Sequence, residues 1–135
     1  MRLPASSPAA VRQERLDRLR RDRTAALPLR VAFPAVEHLL LALQFESETR
    51  NVPAAQSHLL HPPARAFFEF PCPFADCDGQ FDLTTVVNAM LTAHAHQAKG
   101  VLECAGQRPH PYTLRTPCRL HLVYSVVATY RRDDG

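Results

Sequence analysis

The apolar positions change their spacing partway along the chain, and that change places most of the elements. Leu39, Leu41, Leu43 and Phe45 alternate with positions that turn polar at Gln44 and Glu46. This is the period of a strand with one buried face, so residues 36 to 46 are predicted as a strand. Ala66, Phe68 and Phe70 repeat that period over 65 to 70. Beyond Gly79 the spacing lengthens: Leu83, Val86, Val87, Met90, Leu91 and His94 fall at i, i+3, i+4, i+7, i+8 and i+11. That pattern lays one apolar stripe along a helix, with Asp82 placed to cap it and Lys99-Gly100 as its exit. Val101 to Ala105 then reads as a short strand. Residues 118 to 131 read as a long one, with Leu120, Leu122, Tyr124, Val126, Ala128 and Tyr130 on one face.

Toward the N-terminus, Ser7 offers a cap, Pro8 suits a first turn and Pro28 a stop, which predicts a helix from Pro8 to Leu27. Val11, Leu16, Leu19 and Ala26 make only a thin stripe among arginines, so this helix is expected to be mobile or completed by a partner. Ser47 to Pro63 is polar and holds Pro53, Pro62 and Pro63; it reads as a long loop and a candidate contact surface. The order β-β-α-β-β predicts an α+β fold, a small antiparallel sheet carrying one packed helix. Residues 1 to 30 form a basic arm and 31 to 135 the domain. A last strand of this length, with Val123 and Val127 on its second face, suggests that this face meets the helix, another segment or a second copy of the protein in a homodimer.

Composition narrows the class. A chain of 135 residues, 46% of them hydrophobic, suits a single core. Its formal charge of +3 is mild, but the first 30 residues carry eight arginines against Glu14, Asp17 and Asp22. Arg12, Arg15, Arg18, Arg20, Arg21 and Arg23 are therefore candidates for binding nucleic-acid phosphates or an acidic protein partner. The interleaved acids, with pairs such as Glu14 and Arg18, equally suit a solvated helix, and the arm holds no aromatic residue to stack on bases. No apolar run approaches the roughly 18 residues of a membrane span, and the start of the chain lacks the apolar region of a secretory signal. The expectation is a cytoplasmic protein with no membrane partner. Lys99 is the only lysine among 16 basic residues, which suits the codon usage of a GC-rich bacterial genome.

The chemistry lies in the cysteines. Cys72 and Cys77 sit on the turn Cys72-Pro73-Phe74-Ala75-Asp76-Cys77-Asp78-Gly79, while Cys104 precedes Ala105-Gly106 and Cys118 follows Pro117. All four fall at or near strand ends, where an antiparallel sheet can gather them, and thiolates in a reducing compartment are expected to hold a soft cation. The arrangement over 72 to 118 resembles the zinc ribbon and related four-cysteine domains. That resemblance implies a structural Zn2+ held by Cys72, Cys77, Cys104 and Cys118. It departs from ribbons in having four residues between Cys72 and Cys77 and no compact knuckle around Cys104 and Cys118. His94, on the apolar helix stripe, is the alternative ligand in a site of three cysteines and one histidine. His58 and His61 read as solvated loop residues, and Asp78 as a residue that shapes the turn before Gly79. No helical HExxH pair, GxSxG elbow or phosphate-binding glycine loop is present. The functional expectation is a zinc-stabilised accessory or adaptor protein that binds a protein, with nucleic-acid binding through the arginine arm as the alternative.

Overall fold

The two longest apolar alternations become neighbours at the centre of one sheet, because only that pairing buries both of their leucine-rich faces together. The computed structural model describes residues 8–108 and 116–132. In chain order its elements are the helices α1 (Pro8–Ala25) and α2 (Leu29–Ala32), the strands β1 (Val36–Glu46), β2 (Gln56–Leu60), β3 (Glu69–Pro71) and β4 (Gln80–Asp82), the helix α3 (Thr84–Thr92), and the strands β5 (Gln97–Glu103), β6 (Gln107–Arg108), β7 (Thr116–Pro117) and β8 (His121–Tyr130). The main sheet has the order β2-β1-β8-β5, antiparallel throughout. β3 pairs with β4, and β6 with β7, as separate two-stranded ribbons. The fold is α+β with a small antiparallel sheet and an N-terminal helix, as expected.

Register explains the core. Leu41 stands opposite Val126 and Leu43 opposite Tyr124, so the alternating residues of both strands share one face. Phe81 from β4, Leu83 at the N-terminal cap of α3, and Val87 and Leu91 from α3 join them in a single buried cluster. Each fully buried aliphatic side chain of this kind stabilises the fold by about 1.5–3 kcal/mol relative to an exposed one. Tyr124 lies across β5 at Gly100, where an added Cβ would collide with the phenol ring.

Several boundaries differ from the sequence reading. The loop from 47 to 63 contains β2, which pairs with β1 from Leu39 opposite Leu60 to Leu43 opposite Gln56. The strand expected over 65 to 70 shortens to β3, which pairs with β4 and not with the main sheet. α3 ends at Thr92, seven residues before the expected exit at Lys99. His94 adopts φ 52, and the N–H groups of His94 and Ala95 donate to the carbonyls of Leu91 and Met90. That is the left-handed, doubly bonded stop of a Schellman motif, and it frees residues 97 to 103 to form β5. β8 starts at His121, not at residue 118, because Arg119 at φ 54 breaks the extended run. Both edges of β8 are paired within the chain, so any association through this strand is confined to its exposed face.

The N-terminal helix rests on its own chain. α1 packs against β3, and its Leu19 is only 4% exposed. The segment after it is held by Leu29 N–H to Ala64 O at 2.7 Å and Ala66 N–H to Leu27 O at 2.8 Å, which seats Leu29 in the core. The expected cap, Ser7, and residues 109 to 115 lie outside the described residues. Among the described residues no helix is long and apolar enough to cross a membrane.

Candidate metal centre

Each cysteine sits two residues before a backbone N–H that points back at its sulfur. Gly79 N–H donates to Cys77 Sγ and Gly106 N–H to Cys104 Sγ, both at 3.3 Å. Phe74 and Leu120 supply the same bond to Cys72 and Cys118. The two halves match further: Cys72 N–H donates to Gly79 O at 3.0 Å, and Cys118 N–H donates to Gly106 O at 2.9 Å. The chain has therefore built two equivalent knuckles. In the first, Cys72 and Cys77 close the tip of the β3–β4 ribbon. In the second, Cys104 lies opposite Leu120 and Cys118 opposite Gly106, where the β5–β8 pair gives way to the β6–β7 ribbon. A compact second knuckle does exist; it is split in sequence because the ribbon is inserted between its halves. The repeated Cys-x-Gly at 77–79 and 104–106 is the signal that marks it.

The knuckles meet through their glycines. A Cβ on Gly79 would strike Cys104 Sγ and the Gly106 backbone, and one on Gly106 would strike the Gly79 backbone and Cys77 Sγ. Neither residue has a positive φ, so space and not backbone freedom requires glycine at both positions. Asp78 bridges the halves. Its Oδ1 accepts the Gln107 N–H at 2.7 Å, and its own N–H donates to Gln107 O at 3.3 Å.

As a result the four sulfurs lie within 4.8 Å of one another, with Cys72 to Cys118 at 3.8 Å and Cys77 to Cys104 at 3.6 Å. Metal–thiolate bonds of about 2.3 Å in a tetrahedron give sulfur–sulfur edges of about 3.8 Å, whereas a disulfide needs about 2.05 Å. The spacing suits one metal ion and does not suit two disulfides. Taken as thiols, the four shift one another in opposite directions. Hydrogen bonding to Cys104, Cys118 and Cys77, with burial, pushes Cys72 far above the ordinary thiol range. Hydrogen bonding to Cys104, Cys72 and Cys77 pulls Cys118 far below it. A cation removes this conflict by letting all four ionise. The donor set and its geometry fit a bound metal ion.

The arginines expected to reach outward divide into two groups. Arg12 Nη1 donates to Cys72 O at 3.0 Å and to Cys77 O at 2.7 Å, so this side chain holds both ends of the first knuckle. Arg15 borders a cavity of about 310 Å³ beside Asp78, Gly79 and Gly106. Arg18 donates to Gln80 Oε1 at 3.2 Å rather than pairing with Glu14, and Arg23 lies over the Phe67 ring at 5.3 Å. Arg20 and Arg21 remain exposed, with Arg20 3.7 Å from Asp17. Sequence reasoning assigned Arg12 to an external ligand. Its carbonyl partners lie 60 and 65 residues away, and no local pattern signals them.

The histidines stand apart from the sulfurs. His94 is the left-handed residue that ends α3; it is exposed and stacks on Tyr130 at 5.0 Å, and the four-cysteine group does not include it. His58 is in β2, half-buried and 4.9 Å from the Phe70 ring, not in a solvated loop. His61 is exposed and edge-on to His38. No family model, curated protein or solved structure matches this chain.

Proposed function

We propose that the protein is a zinc-stabilised, zinc-ribbon-like module that acts by binding a protein partner, as an accessory or adaptor. The observation that carries this reading is the buried four-sulfur cluster. Zinc suits a tetrahedral set of thiolates, and four protein ligands leave no position at which water could be activated. The ion's role is structural: it joins the two ribbons to each other and to the sheet.

The binding half of the reading draws on the face of the sheet that the described residues leave uncovered. Leu59, Leu40 and Val127 form one row across three strands, and Val123 and Val101 form part of another. Leu59 is 50% exposed, Val127 38% and Val101 60%. Exposed Lys99 stands among them. A protein offering apolar side chains, with an acidic group for Lys99, fits this surface. The nucleic-acid alternative would rest on Arg20 and Arg21, because Arg12, Arg18 and Arg23 are engaged within the chain.

Metal analysis of the purified protein tests the zinc half. Near-equimolar zinc in the wild type, loss in Cys104→Ser and Cys118→Ser, and retention in His94→Ala are expected; a wild type without metal removes the reading. For the binding half, Val101→Glu combined with Val127→Glu is expected to abolish partner capture while keeping the metal. Equal capture by the variant removes this surface. A gel shift at low salt that disappears in Arg20→Glu/Arg21→Glu would instead support nucleic acid.

A further inference from the structure

The four sulfurs do not face the same surroundings. Cys72 and Cys77 are 0% exposed and Cys104 2%, the latter two sealed where Gly79 and Gly106 pack together. Cys118 is only half-buried. It forms part of the wall of an open polar cleft of about 640 Å³, with Glu48, Glu103, Arg119 and His121. The turn at Arg119, with φ 54, takes Cys118 off the line of β8 and leaves this residue at the edge of the cluster that meets the cleft. Its neighbour at 3.8 Å is Cys72, whereas the other short pair, Cys77 and Cys104, lies in the interior.

We propose that Cys118 is an oxidative modification site, through which a hydroperoxide opens the metal centre by joining Cys118 to Cys72. Reaction of cysteine with peroxide follows thiolate character and exposure, and a metal-held thiolate at the rim of a cleft has both. In the first step the Cys118 sulfur attacks a peroxide oxygen. A sulfur–oxygen bond forms, the oxygen–oxygen bond breaks, and hydroxide leaves to be protonated by water, with donors on Arg119 and His121 lining the same cleft. In the second step the Cys72 thiolate attacks the Cys118 sulfur, the sulfur–sulfur bond forms, and a second hydroxide departs. In sum, two thiolates and hydrogen peroxide take up two protons and yield one disulfide and two waters. Two electrons pass from sulfur to peroxide. Cys77 and Cys104 alone then no longer close a four-ligand shell. Added dithiol reverses the exchange and restores the site. The release of metal rests on the zinc reading above; the choice of sulfur does not.

The test uses the full-length protein, its metal content measured first. Hydrogen peroxide is added while metal release is followed with a chromogenic chelator, and tryptic peptides are mapped by mass spectrometry. Release of the bound metal together with a Cys72–Cys118 linked peptide is expected, with Cys118 alkylated on the order of tenfold faster than the other three cysteines in the untreated protein. Cys118→His, which keeps a fourth ligand but removes the oxidisable sulfur, is expected to retain its metal through the same treatment. A protein that holds metal but first forms the Cys77–Cys104 bridge, or reacts at all four sulfurs together, overturns this inference and leaves the zinc reading standing. A protein without metal overturns the zinc reading, and the Cys72–Cys118 bridge is still expected to form first.

Discussion

Arg12 turns its guanidinium onto the Cys72–Cys77 turn, where one nitrogen meets two carbonyls. If a divalent cation is bound as proposed, four thiolates around it leave a local excess of negative charge, and Arg12 just outside the ligands would both offset it and fix the turn that presents two of them. Loss of such an outer contact commonly weakens metal binding about 10–100-fold. Arg12→Ala is therefore expected to lose zinc to a competing chelator about tenfold more readily than the wild type, with Arg12→Lys intermediate; equal retention would show the contact to be incidental. His58 gives a pH signature. Burial, and secondly the charge of Arg23, hold its imidazole below the ordinary value of 6.5. The unfolded chain takes up this proton first, so stability is full above the unfolded value and falls as the pH drops below it through the folded one. Thermal melts of His58→Gln are expected to show a shallower loss than the wild type between about pH 7 and 5. That difference separates the histidine from acid loss of the proposed metal, which both proteins would share.

α1 illustrates how an element with a weak apolar stripe can still be anchored. Its hydrophobic face supplies little beyond Leu19, and polar bonds from Arg12 and Arg18 to the β3–β4 ribbon supply the rest. Reciprocity of coupled equilibria then requires that if Arg12 supports metal binding, metal binding supports the docking of α1. Chelation is expected to expose α1 to trypsin at Arg15 and Arg18 before the main sheet is cut, and Arg12→Ala to be cut there even with metal present. Simultaneous cleavage throughout the chain would mean that helix and sheet open as one unit. α3 shows the opposite case. Its stripe was legible from Leu83 to Leu91, but the periodicity ran on to His94, where backbone bonding to Met90 and Leu91 had already closed the helix.

The chain joins a leucine-rich sheet to two small ribbons that have little core of their own. A structural zinc in a small domain contributes on the order of 10 kcal/mol of apparent folding free energy, comparable with the roughly 5–15 kcal/mol that separates folded from unfolded states. Saturating chelator is accordingly expected to lower the melting temperature sharply, with the β3–β4 and β6–β7 ribbons losing amide-exchange protection first. An unchanged melt would assign the stability to the sheet core alone. The strands β1 and β8, the helix α3 and the identity of the four cysteines could be read from the order of residues, because period and residue type are local properties of a chain. β2 was hidden in a polar, proline-flanked segment whose strand character comes from pairing with β1. The meeting of Gly79 with Gly106, the inward turn of Arg12 and the exposure of Cys118 had no local signature. Each depends on contacts between segments tens of residues apart, and such contacts exist only once the sheet has brought those segments together.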